Sequence, residues 1–187
     1  GGPDFESKLL RDMQDDANRQ MGEAAGSAAE FRKVYGGAVD IVIGRNLEDA
    51  GETRWMPLPA KNAGDYTVTA GTLRNHKHCE ELPVLIIEPK SRNGQVVIWV
   101  DPTGKGGLFT KSDGKEEYNP KPEIRRLLDS GAAVMGVDLL YQGDFLTDGK
   151  PMEKTRRVSN PREAPAYTFG YNHALFAQRV HDILTVV

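Results

Sequence analysis

From Asp4 to Met21 the apolar residues Phe5, Leu9, Leu10, Met13, Ala17 and Met21 recur at helical spacing, and charged residues fill the positions between them. That spacing lays one apolar stripe along a helix. Ala24-Ala25-Gly26 interrupts it, and Ser27 to Glu30 has the S-x-x-E form of a capping box, in which hydroxyl and carboxylate satisfy orphan N–H groups reciprocally. A second helix is therefore expected from Ala28. Its stripe is Phe31, Val34, Tyr35, Ala38, Val39, Val42 and Ile43, it crosses Gly36-Gly37 at about 1 kcal/mol per glycine, and it stops at Gly44. Neither helix carries evident chemistry, so packing against a later domain is their expected role.

Residues 45–63 hold Gly51, Pro57 and Pro59 and little periodicity, and are expected to be a connecting loop. Tyr66 to Leu73 alternates and predicts a half-exposed strand, and Leu82 to Pro89 predicts a second, with prolines suited to its ends or to an edge. Val96-Val97-Ile98-Trp99-Val100 is apolar throughout, the pattern of a central strand buried on both faces. It stops at Asp101-Pro102-Thr103-Gly104-Lys105-Gly106-Gly107, which must be a loop at its carboxyl end. Lys111 to Lys121 is polar and loop-like. Pro122 suits the first position of a short helix with Ile124, Leu127 and Leu128 inward and Gly131 just past its end. Ala132 to Asp138 is again an apolar run ending in an acid, so strand, helix and strand form a βαβ unit with an expected right-handed crossover. Leu139 to Ala166 is irregular. Asn172 is expected to cap a last helix with the stripe Leu175, Phe176, Val180, Ile183, Leu184 and Val187.

The expected fold class is α/β, with residues 1–63 a helical extension and connecting loop and residues 64–187 a sheet domain. That last helix runs into Val186-Val187 without a stop signal, so the sheet is expected to be cut. A cut sheet leaves a strand edge and a helix face uncovered. The expected partner is the missing remainder of the same protein or a second copy.

Composition narrows the function classes. The 187 residues are 39% hydrophobic and 27% charged, which describes one globular domain of ordinary size. With a net charge of −3 and basic residues interleaved with acids, no nucleic-acid partner is expected. No apolar run is long enough to span a membrane. A single cysteine, Cys79, excludes an internal disulfide and leaves the compartment open. Gly1-Gly2-Pro3 reads as a processed or engineered end.

Candidate chemistry centres on the glycine loop, because loops at the carboxyl ends of strands in open α/β sheets diverge and leave a ligand crevice. A phosphate loop fails on spacing: Trp99 stands where G-x-x-x-x-G-K-[ST] needs its first glycine, and Gly106 where it needs Ser or Thr. His76, His78, Cys79, Glu80 and Glu81 include zinc-ligand types, but neighbours in one short loop rarely converge on an ion, so an exposed hairpin turn and no metal are expected. Cys79 lacks the base and electropositive setting that a nucleophile needs. His181, between stripe positions, reads as structural, and Tyr171-Asn172-His173 either lines a site or caps the helix.

The order of elements, with GAAVMGVDLLYQGDF and TRRVSNPREAPAYTFGYNHALFAQRVHDILTVV, resembles the first half of the α/β-hydrolase fold, and more narrowly the bacterial acetyl-xylan-esterase-like hydrolases. The resemblance spans about residues 66–187. It implies a serine carboxyl-ester hydrolase acting on an acetylated carbohydrate, with no cofactor and an extracytoplasmic setting. G-x-S-x-G occurs nowhere in the chain, so nucleophile, acid and base are expected after Val187, and these residues alone are expected to be inactive. What falls here is the oxyanion loop: Asp101-Pro102 stands where the family has His-Gly, and Thr103, with Gly104 next, takes the donor position. Such a donor lies about 2.7–3.1 Å from the oxyanion and contributes roughly 3 kcal/mol. Asp101, Asp138 and Tyr141 are expected to line the site, Asp138 as a loop-orienting residue by the resemblance or as a catalytic carboxylate by its place at a strand end. The alternative function is a non-catalytic binding or scaffold module with a structural glycine loop.

Overall fold

The computed structural model describes residues 2, 4–110, 118–148 and 173–187. The chain divides into two compact units, 1–44 and 45–187. The first is a helical hairpin of α1 (Phe5–Ala24) and α2 (Ala28–Ile43). Ser27 Oγ accepts from the N–H groups of Ala29 and Glu30, and Gly44 ends α2 at φ 73°, a left-handed cap open to glycine at no steric cost. The reciprocal half of the capping box is replaced, since Ser27 N–H donates to the Ala24 carbonyl.

The second unit is a six-stranded, mostly antiparallel sheet with helices, an α/β fold in the general sense. Its strands are β1 (Thr53–Pro57), β2 (Lys61–Asn62), β3 (Tyr66–Asn75), β4 (Glu80–Pro89), β5 (Val96–Trp99) and β6 (Ala133–Val137). The order is β1-β3-β4-β6-β5, with β2 also on β3. β3 and β4 form a ten-residue antiparallel hairpin in register from Tyr66 opposite Pro89 to Asn75 opposite Glu80. β4 pairs antiparallel with β6, and β6 pairs parallel with β5 through α3 (Pro122–Asp129). The βαβ unit is thus present, with Pro122 in the first turn of α3 and Gly131 following it at φ 90°.

Side-chain alternation divides the core between two faces. Leu85, Ile87 and Val134 pack with Ile124 and Leu128 of α3. Leu82, Val84 and Val137 pack on the other face, against Ile183 and Val186 of α4 (Leu175–Val186).

Four expectations are corrected. Residues 45–63 are not simply a connection, because β1 and β2 lie within them and pair with β3. β1 is almost wholly exposed, and alternation marks a strand only where one face is buried. β5 is not central among the described strands. It ends the sheet order, with Val96 half exposed. An all-apolar run reports what covers a strand's faces and is silent about its neighbours.

Pro83 lies inside β4 and not at an end or edge. Its carbonyl accepts from Asp138 N–H just past the end of β6, so the missing Pro83 N–H faces the end of the β4–β6 ladder and costs the β3–β4 ladder no bond. Finally, α4 buries Ala177, His181, Asp182 and Thr185, whereas Phe176 and Val187 are exposed. Its inner face meets Asn75 of β3, Glu80 of β4 and Leu140 N–H past β6, which the Thr185 hydroxyl and the Asp182 carboxyl satisfy. Asn172 and Tyr171 lie outside the described residues; α4 starts after Ala174 with no side-chain cap.

Candidate functional site

The carboxyl ends of the parallel strands β5 and β6 lie side by side, and two loops meet there: Val100 to Leu108 and Asp138 to Phe145. Each is organised by an aspartate.

Asp101 Oδ1 accepts from Thr103 N–H at 2.9 Å and from Thr103 Oγ1 at 2.7 Å, while Asp101 Oδ2 faces Lys121 Nζ at 3.3 Å. Burial pushes the Asp101 carboxyl up, but the Thr103 hydroxyl, the Thr103 N–H and the Lys121 ammonium together hold it below the ordinary aspartate value. Gly104 N–H donates to the Asp101 carbonyl at 3.0 Å, and a 3-10 turn, Gly104–Leu108, follows. Leu108 carries this turn into the core, fully buried against α3 and β6.

Asp138 is fully buried. It accepts from Lys105 N–H at 2.8 Å, from Asp144 N–H at 2.9 Å and from the Lys105 ammonium, which also faces Asp144 at 2.7 Å. One carboxylate thus clamps both loops. The clamp requires glycines: a Cβ at Gly104 or Gly143 would stand 2.2 Å from an Asp138 carboxylate oxygen, and both residues have positive φ. Buried Gln142 adds a second tie, donating to the Asp101 and Pro102 carbonyls and accepting from Leu139 N–H. Tyr141 is exposed and left-handed at φ 62°, which is uncommon for a side chain of this size.

The structure therefore brings Asp101, Thr103, Gly104, Asp138 and Tyr141 to one end of the sheet. Asp138 is engaged entirely in holding loops. The Thr103 and Gly104 N–H groups, expected as oxyanion donors, are both bonded within their own loop. Lys105, Lys121, Gln142 and Asp144 are part of the arrangement and escaped sequence reasoning. Lys105 stood out only as a failed phosphate-loop lysine, and nothing local marks the other three, whose partners are 20 to 41 residues away for Lys121 and Gln142.

Beside these loops opens a pocket of about 450 Å³ lined by Leu140, Phe145, His173, Gln178, His181 and Asp182, among others. The His173 and His181 rings meet edge to face with centroids 4.9 Å apart. Asp182 Oδ2 accepts from Leu140 N–H at 2.7 Å, and Arg179 Nε donates to the Leu140 carbonyl. Burial raises the Asp182 carboxyl above the ordinary value, only partly offset by the Leu140 N–H. A folded pKa above the unfolded one, about 3.9, makes the associated stability fully present below pH 4 and lost as pH rises through the folded value. Asp182→Asn, which keeps an acceptor for Leu140, is therefore expected to gain stability relative to the parent between pH 4 and pH 7. Urea midpoints at both pH values test this; a pH-independent difference would refute it.

Elsewhere the His76–Cys79 segment is the β3–β4 turn, with Cys79 exposed at φ 54° and His78 Nε2 2.7 Å from the Asp49 carbonyl. Among the described residues no group of three His, Cys, Asp or Glu could hold a metal ion, and no helix is long and apolar enough to cross a membrane. No protein-family model and no curated protein matches the chain.

Proposed function

We propose that residues 45–187 form the N-terminal part of an α/β-hydrolase domain of the serine carboxyl-ester type, similar to acetyl xylan esterases, with the nucleophile, acid and base outside these residues. The observation that carries this reading is the placement of the glycine loop. An antiparallel hairpin, β3–β4, leads into a parallel pair in which the later strand, β6, lies inside the earlier one, β5. The loop after β5 then stands where a hydrolase of this type draws one oxyanion N–H from the loop after its third sheet strand. The chemistry rests on the loop.

In this reading Asp138 and Lys105 are positioning residues. They hold Gly104 and the 3-10 turn against β6, and Thr103 and Gly104 supply the donors once a substrate oxygen competes for their N–H groups. The pocket beside Leu140 and Phe145 is space for a small substrate such as an acetylated sugar.

One observation favours the second reading, a non-catalytic binding or scaffold module. Thr103 and Gly104 N–H already have partners in Asp101, as a purely structural loop would arrange. Turnover separates the two. A protein extended beyond Val187 is expected to carry a strand and G-x-S-x-G within about 20 residues and to hydrolyse p-nitrophenyl acetate, with activity lost on replacing that serine by alanine. Absence of the motif together with absence of turnover would leave the module reading, and turnover indifferent to the serine would overturn the serine mechanism.

A further inference from the structure

The helical hairpin carries more apolar surface than a pair of helices can cover. We propose that it is a self-association element, in which α1 and α2 of one copy pack against α1 and α2 of a second to form a four-helix bundle.

The apolar stripes on both helices are wide. On α1, Phe5, Leu9 and Met13 run along one border and Leu10, Ala17, Met21 and Ala24 along the other. On α2, Val34, Ala38 and Ile41 form one border, and Tyr35, Val39 and Val42 the other. A helix in a two-helix hairpin has one neighbour and buries one narrow seam. A helix in a four-helix bundle has two neighbours and buries a broad arc.

The structure shows the shortfall. Ala24 alone is buried on α1 and Ile43 alone on α2, while Leu10 is 66%, Met13 61%, Val42 62% and Ile41 82% exposed. The large apolar side chains left exposed between Phe5 and Val42 present on the order of 1,000 Å² if a whole residue of this kind offers about 180 Å². A stable protein interface needs about 800 Å² from each partner. The surface is therefore of dimer size, and an apolar stripe on both helices offers the same patch to each copy, as a two-fold interface requires.

Two other occupants fit less well. Residues 1–44 hold eight acidic residues against five basic ones, whereas a helix lying on a lipid surface wants a basic polar face. The two faces of the sheet unit already carry helices of their own, α3 and α4. The proposal does not rest on the ester-hydrolase reading, and mass and turnover report on the two separately.

Sedimentation velocity of the full chain across a concentration series tests it. The expected species is a dimer of twice 20.6 kDa. Met13→Lys, Leu10→Lys and Val42→Lys, all at positions exposed in one copy, are each expected to weaken the dimer roughly tenfold or more while far-UV circular dichroism retains the helices. Arg11→Glu on the polar face of α1, and Val96→Lys on β5, are expected to leave it unchanged. A monomer throughout the series would overturn the proposal. So would a dimer abolished by Val96→Lys and indifferent to the helix substitutions, which would place the contact on the sheet edge. Helix substitutions that lower thermal stability without changing mass would overturn it too, because the stripes would then be covered within one chain.

Discussion

Replacing Asp138 by alanine is expected to destabilise the sheet unit by about 3–5 kcal/mol, the cost of breaking a buried ion pair from one side. The substitution leaves the Lys105 ammonium, whose side chain is 16% exposed, with the exposed Asp144 carboxylate as its remaining ion-pair partner, and leaves Lys105 N–H and Asp144 N–H without their acceptor. Asp138→Asn is expected to cost less, because an amide oxygen can keep one of the N–H donors while the charge is lost. The damage has a location as well as a size: the Gly104–Leu108 turn is released from β6, so tryptic cleavage after Lys105 should accelerate before global unfolding does. Urea denaturation with timed proteolysis measures both. A loss under about 1 kcal/mol, in the range of an exposed pair, would mean that Lys105 and the loops find other partners.

Arg45→Leu is expected to cost roughly 2–4 kcal/mol, somewhat under the range for a fully buried pair because the Glu80 side chain keeps 21% of its exposure. Arg45 meets Glu80 through two nitrogens at 2.8 and 3.0 Å, a bidentate fork, and Thr185 Oγ1 donates to the same carboxylate at 2.8 Å. Burial by itself would raise the Glu80 pKa, and the Arg45 and Thr185 hydrogen bonds outweigh it, so the folded value lies below the ordinary one. A depressed folded pKa contributes stability that is present above the unfolded value, about 4.3, and lost as pH falls through the folded value. The gap between Arg45→Leu and the parent should therefore be widest near neutrality and close in acid. A gap that persists unchanged below pH 3 would assign the loss to packing of the arginine stem instead of to the pair.

These two clusters were legible in the sequence to very different degrees. Asp101 and Asp138 stood out because each ends an apolar run, and that position at the carboxyl end of a strand is a local property. Their partners did not stand out. Lys105 reaches Asp138 across 33 positions, and Thr185 reaches Glu80 across 105. Nothing in the composition around Thr185 distinguishes a hydroxyl that holds a buried carboxylate from one that faces water. The apolar stripe drawn for α4 held only in part for the same reason: Ile183 packs on the sheet, but Phe176 and Val187 are exposed, and Asp182 and Thr185 turn inward to Leu140 N–H and Glu80, which only the fold brings there.

Taken alone, the sequence determined what rests on neighbours within a few positions. It determined the two N-terminal helices and the Ser27 and Gly44 caps between and after them. It determined the short helix from Pro122 to its glycine stop, the apolar strands and the glycine loop that ends β5. Helical hydrogen bonds, caps and turns close over three or four residues, so their causes lie in the same stretch of chain. The tertiary structure alone decided the strand order, the place of β5 at the end of it, the strands hidden in residues 45–63, and the polar residues on the inner face of α4. It also decided that Thr103 and Gly104 donate within their own loop. Pairing between strands and between buried charges is a choice among distant segments, settled by which groups can satisfy one another away from water.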